Sequence, residues 1–139
     1  MTTNNSATIR QIFEAMSSGD ISAVHAAIDA CYLPDYSYHG MGEEFSGLDS
    51  LKSIFSGYLT AFPDITASVE AQVEAGDMVV TRVVISGTNS GDFNGEPPTG
   101  KPMRVQGINI ARFVDGKVAE EWEEGDMLGM LVQVGHMSA

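Results

Sequence analysis

The spacing of apolar residues changes once along this chain, and the change sits at Pro63. Before it, Ile9, Ile12, Phe13 and Met16, and later Leu51, Ile54, Phe55, Tyr58, Leu59 and Phe62, recur every three to four residues, the period of a helix face. After it, Ile65, Ala67, Val69, Ala71, Val73 and Ala75 alternate with Thr66, Ser68, Glu70, Gln72 and Glu74, the period of a half-buried antiparallel strand. Helices first and a meander afterwards argue against alternating βαβ units. The expected class is α+β, with helices covering one face of an antiparallel sheet. A strongly curved sheet closed off by about three N-terminal helices makes a cone with a hollow mouth, and such mouths are default ligand sites.

Punctuation residues divide the chain further. Ser6 can cap the first helix and Gly19 follows its end; Asp20 can cap a second helix carrying Val24, Ala27 and Ile28 on one side. Pro34 breaks that pattern, and Tyr36-Ser37-Tyr38-His39 reads as a short strand before a turn at Gly40–Gly42. Ser46 to Asp49 resembles a capping box for the third helix. Strands are expected at Met78–Thr88, Met103–Val114 and Lys117–Glu124, with a loop over Gly87–Pro102 and a helical turn or two after Met127. With no repeat and no linker, residues 1–139 are read as one domain.

The chain has 139 residues, 43% hydrophobic and 19% charged, a globular composition. Seven Lys+Arg against 19 Asp+Glu give a net charge of -12, a field that repels phosphate backbones and anionic lipids, so neither nucleic acid nor membrane is an expected partner. Cys31 is the single cysteine, which excludes an internal disulfide and a cysteine-built metal site. The three histidines lie far apart without ligand spacing, so no metal is expected, and the glycines after Gly87 lead into no helix that would make a phosphate loop. Apolar runs are too short to span a bilayer, and Met1–Thr8 lacks the basic-then-apolar order of a signal peptide; the expected location is the cytoplasm.

Asp115-Gly116 is the strongest two-residue hairpin signal. A regular ladder from it sets Phe113 opposite Val118, Ala111 opposite Glu120 and Asn109 opposite Trp122. One face then carries Val105, Gly107, Asn109, Ala111, Phe113, Val118, Glu120, Trp122 and Asp126, a mixture of apolar bulk and isolated polar groups that reads as a pocket wall. The other carries Ile108 and Ile110 among charges, with Glu121, Glu123 and Glu124 expected on a solvated strand. The same treatment of Gly76-Asp77 pairs Val73 with Val80, Ala71 with Arg82 and Val69 with Val84. It sends Arg82 into the cone, where it requires a carboxylate such as Glu120 or Asp126.

An Asp beside a Trp-lined mouth can take a proton and return it; at the head of a helix it can equally serve as a cap, so spacing leaves both roles open for Asp126. His39 reads as a hydrogen-bonded structural or pocket group. Tyr58 can turn its hydroxyl from the third helix into the cavity.

Several motifs carry a specific resemblance. Gly87-Thr88-Asn89-Ser90-Gly91-Asp92-Phe93, Gly95-x-Pro97-Pro98-Thr99-Gly100-Lys101, Gly107-Ile108-x-Ile110, Asp115-Gly116-Lys117-Val118, and Glu120-Glu121-Trp122 through Asp126 to Leu128-Gly129 are similar to the SnoaL-like polyketide cyclases of the nuclear transport factor two-like superfamily. The resemblance implies the cone already read, and cofactor-free ring closure by intramolecular aldol condensation of a polyketide ester. It places the catalytic acid/base at Asp126, with His39, Tyr58, Asn109 and Trp122 shaping the cavity. Asn89 stands where the family often has His. Arg82 is followed two residues later by Val84, so the Arg-x-Asp motif of epoxide hydrolases of this fold is missing, and His39 stands where steroid isomerases place an Asp.

The leading reading is therefore a cofactor-independent cyclase. The alternatives are another cofactor-independent lyase, isomerase, hydrolase or hydroxylase, and a non-catalytic binder of a small hydrophobic or aromatic ligand. A homodimer or larger assembly is expected, because Ile108, Ile110, Val79, Val83 and Ile85 are read as an outward apolar patch.

Overall fold

The computed structural model describes residues 4–138; Met1–Thr3 and Ala139, and with them the start of the segment read for a targeting signal, lie outside the described residues. Helix α1 (Asn5–Ser17) buries its expected stripe of Ile9, Ile12, Phe13 and Met16. Helix α2 (Ile21–Cys31) is capped by Asp20, whose carboxylate accepts from the backbone N–H of Ser22 and Ala23. Strands β1 (Tyr32–Gly40) and β2 (Glu43–Ser46) form a hairpin ahead of α3 (Leu48–Ala61). Strands β3 (Thr66–Ala75), β4 (Met78–Thr88), β5 (Pro102–Val114) and β6 (Lys117–Gly125) follow, and α4 (Met127–Gln133) closes the chain.

Two expected caps are absent. No side chain caps α1; Ser6 instead donates from its N–H and Oγ to the Glu74 carboxylate, tying the helix start to β3. Helix α3 begins after Gly47 at φ 88° without a capping box.

The sheet runs β2-β1-β6-β5-β4-β3, curled but unclosed, and antiparallel throughout except that β1 lies parallel to β6. Strand β1 is longer than the short strand read from the sequence because it runs through Pro34. The proline is accommodated where the ladder to β6 shifts, between Tyr32↔Val118 and Ser37↔Glu120. Helices α1 to α3 cover the concave side, and one apolar core joins them to it through residues such as Ile28, Tyr36, Phe62, Val79 and Val118, each essentially without exposed surface.

Register decides which side chains face that concave side. Asp115 and Gly116 both take positive φ (51° and 79°), the geometry of a tight I′ turn, and Val114↔Lys117 and Phe113↔Val118 pair as expected. Ala119 is then left without a partner, so Arg112 meets Glu120, Ala111 meets Glu121, Ile110 meets Trp122 and Asn109 meets Glu123. This bulge turns over every later side chain of β6. Glu121 and Glu123 face inward beside Asn109, and Glu120 and Trp122 face outward.

In the neighbouring hairpin Val73↔Val80 and Ala71↔Arg82 hold, but Glu70 is bulged and Val69 meets Val83 rather than Val84. The Val73, Val80 and Arg82 face is the convex one. Val79, Val83 and Ile85 point inward, opposite to the outward patch expected from the sequence.

Candidate active site

The concave side encloses a cavity of about 110 Å³. Helix α1 contributes Ile9, Ile12, Phe13 and Met16 to its wall, α3 contributes Leu51, Ile54, Phe55 and Tyr58, and the sheet contributes Tyr32, Tyr38, Val83, Ile85, Val105 and Asn109. Asp126, Met127 and Met130 complete it where β6 passes into α4. The wall is mostly apolar; Gln106, Glu124 and Asp126 are exposed polar members of it, and the remaining polar groups form one inner cluster.

That cluster is built on Glu121 and Glu123. Glu121 is 4% exposed, and it accepts from the Tyr36 hydroxyl (2.6 Å), the Asn109 Nδ2 (2.9 Å) and the Tyr32 hydroxyl (3.5 Å). Glu123 accepts from Asn109 Nδ2 (3.3 Å) and the Tyr38 hydroxyl (3.3 Å). Asn109 thus spends its amide on both carboxyl groups, while its own Oδ1 is buried with no partner. Burial, and next the charge of Glu123, push the Glu121 carboxyl up to about 7, against the pull of its hydrogen bonds. Burial raises Glu123 as well. Two carboxyl groups sharing one amide in an apolar cavity cannot both ionise cheaply, so the pair holds a proton near neutral pH. Tyr58, half-buried, is pushed up to about 12 by desolvation and by the carboxylates of Glu123 and Glu43, which keeps it a neutral hydroxyl.

Of the residues singled out from the sequence, Asn109, Tyr58 and Asp126 line this cavity. Asp126 stands at its rim, exposed, and caps α4 by accepting from the Gly129 N–H at 2.8 Å. His39, Glu120, Trp122 and Arg82 do not line it: the Ala119 bulge turns Glu120 and Trp122 outward, His39 pairs with Trp122 on that same side, and Arg82 lies on the convex face of β4 with Val80.

His39 and Glu120 form a convex-side chain instead. The imidazole bonds Glu120 at 2.8 Å and Glu44 at 3.2 Å and stacks on Trp122 at 5.6 Å; Arg112 donates to Glu120 from Nε and Nη2. The bonds to Glu120, first, and Glu44 raise the His39 pKa. Arg82 is exposed and reaches only Gln106 Oε1, at 3.4 Å, so it pairs with neither Glu120 nor Asp126.

Asn89, buried, belongs to the loop: it donates to the carbonyls of Ala61 and Gly91 and accepts from Thr99. Glu121 and Glu123 were missed as cavity residues, since nothing in the run Glu120–Glu124 marks the residue at which the ladder slips. No helix among the described residues is long and apolar enough to cross a membrane.

Known proteins share this architecture. Residues 7–134 match the SnoaL-like polyketide cyclase family. Aklanonic acid methyl ester cyclase DnrD of Streptomyces peucetius is 27% identical over 129 residues, 91% of this chain and 88% of that protein. The solved structure of IdmH, a candidate polyketide cyclase of Streptomyces antibioticus, superposes with a TM-score of 0.80 at 32% identity, covering 95% of this chain and 99% of that one. AclR, a candidate hydroxylase of Streptomyces galilaeus, superposes at 0.83 with 30% identity, covering 97% of this chain and 83% of that one. With the cone, the enclosed cavity and a match running from α1 to the end of α4, the chain belongs to the SnoaL-like polyketide cyclase family.

Proposed function

We propose that this protein closes a ring by intramolecular aldol condensation of a polyketide-like ester, using carboxyl groups and no cofactor. The observation that carries the reading is a mostly apolar cavity with a carboxylate at its rim and a proton-holding carboxyl pair inside it. The methylene between two substrate carbonyls is already acidic, because the carbanion delocalises into both oxygens.

Asp126 removes that proton. The carbanion attacks the ketone carbon of the same molecule, a C–C bond forms as the C=O π pair moves to oxygen, and Asp126 returns the proton to the resulting alkoxide. The proton that the Glu121 and Glu123 pair holds inside the cavity supplies a hydrogen bond to the enolate oxygen as charge develops there. Proton transfer of this kind contributes roughly 10²–10⁴-fold. Tyr58 and the phenyl walls orient the ring and keep water out. The buried carboxyl pair favours this acid/base reading over simple ligand storage, which has no use for a costly ionisable pair inside an apolar cavity.

The test is turnover of aklanonic acid methyl ester, the compound named for the reaction of DnrD, and of simpler diketo esters, by protein dialysed against a chelator. Ring closure unaffected by the chelator, and lost in Asp126→Asn, is expected. A protein that binds these esters and leaves them unchanged would be a binding module.

A further inference from the structure

We propose that the inner end of the cavity is a recognition subsite for a hydrogen-bond donor on the ligand, a hydroxyl or a protonated amine, received by Asn109 Oδ1 and the Glu123 carboxyl. The hydroxyl and amide donors at that end are already committed. The Tyr36, Tyr32 and Tyr38 hydroxyls point at the two carboxyl groups, and both protons of the Asn109 amide are used, one on Glu121 and one on Glu123. Unspent acceptor capacity remains: Asn109 Oδ1 has no partner although Asn109 is only 2% exposed, and half-buried Glu123 keeps lone pairs towards the cavity.

Rotating the amide gives no relief. It would set Oδ1 against two carboxyl groups that hold one proton between them, and lose at least one bond. A buried acceptor without a donor is costly, so a ligand that brings one is rewarded twice, by the bond made and the penalty removed. An apolar end group strands the oxygen, and a carboxylate is repelled by the pair. The ligand class is thus a mostly apolar ring system with one hydroxyl or ammonium at the end that enters first.

This rests on the cavity being the ligand site, as in the proposed function. It does not depend on which residue moves the proton.

Four single-ring probes of similar length test it by calorimetric titration of the full chain: p-cresol, 4-methylbenzylammonium, p-xylene and p-toluate. The phenol, the ammonium or both should bind at least about tenfold tighter than p-xylene, the range of one hydrogen bond to a buried acceptor, with p-toluate weakest. Whichever of the first two leads identifies the donor. The leading probe should also shift the Asn109 side-chain amide signals in a ¹⁵N spectrum.

In Asn109→Leu the preference should fall below about threefold while p-xylene still binds. Should that variant not fold, the wild-type series and the amide shift decide alone. If p-xylene or p-toluate matches the leading donor, or the donor binds without moving the Asn109 signals, the subsite is overturned while the cavity stands as a ligand site. If none of the four binds, both readings fall together.

Discussion

Two carboxyl groups answer different questions. Glu121 bears on stability. Its folded pKa of about 7 lies above the ordinary value of 4.5, so the folded state holds its proton more tightly than the unfolded chain does. Its full contribution is therefore present below about pH 4.5 and is lost as pH rises through about 7, a swing of about 3 kcal/mol. Thermal melts should show the protein less stable at pH 8 than at pH 5, with Glu121→Gln removing most of the slope; an undiminished slope in that variant would place its origin elsewhere. Asp126 bears on turnover. Asp126→Asn keeps much of the cap on Gly129 and loses the proton carrier, so catalysis should fall about 10²-fold or more with a stability change within about 1 kcal/mol. Asp126→Ala should lose about 1 kcal/mol in addition, the worth of the cap. Wild-type turnover by Asp126→Asn would transfer the role of base to Glu123.

Among the elements, the helices of the first half and the strands of the second were legible because each repeats its apolar period over several turns or pairs. Hairpin turns were legible too: Asp115-Gly116 fixes the nearest pairs by backbone geometry alone. What could not be read was the ladder beyond Val118. A register is pinned by apolar side chains that must be buried, and the run from Glu120 to Asp126 contains only Trp122, which tolerates either face. The bulge at Ala119 was therefore invisible, and with it the inward turn of Glu121 and Glu123; the pair Ala71↔Arg82 was legible, but not which face of β4 the helices cover. The parallel pairing of β1 with β6, which no turn announces, was equally hidden. That pairing makes Gly40 a sensitive point. It sits opposite Glu123 at φ 153°, and a Cβ there would overlap the Glu123 carbonyl oxygen. Gly40→Ala should cost about 1–3 kcal/mol, read as a lower melting temperature, with displaced backbone signals at Glu123.

For the molecule as a whole, the convex face is the unfinished surface. One cross-strand row runs Val73, Val80, Ile110, Trp122 and His39, and Val73 (64% exposed), Ile108 (50%) and Trp122 (36%) lie open on that face. Charged residues flank the row, the paired Arg112 and Glu120 on one side and Arg82 and Glu124, separated by Ile108, on the other, so two copies turned about a twofold axis could set opposite charges against each other. Light scattering should give twice the protomer mass, and Ile110→Asp should give a monomer that keeps its fold. A wild-type monomer at micromolar concentration would overturn this assembly. The acidic balance points the same way as before: a net charge of -12 leaves small neutral or cationic molecules as the natural company of this surface.

The unpaired Ala119 also has a consequence for descent. A bulge absorbs one residue, so loss of the codon for Ala119 would leave every later pair of β6 as it is, with Glu121 and Glu123 still inside. Drawing Ala119 into the ladder opposite Arg112, at unchanged length, would instead exchange the two faces. Glu120 and Trp122 would then enter the cavity, and Glu121 and Glu123 would leave it for the convex face. Relatives that differ only in whether this bulge forms could share fold and length while presenting unrelated chemistry to their ligands, and an aligned column in β6 would then compare residues that never occupied the same side.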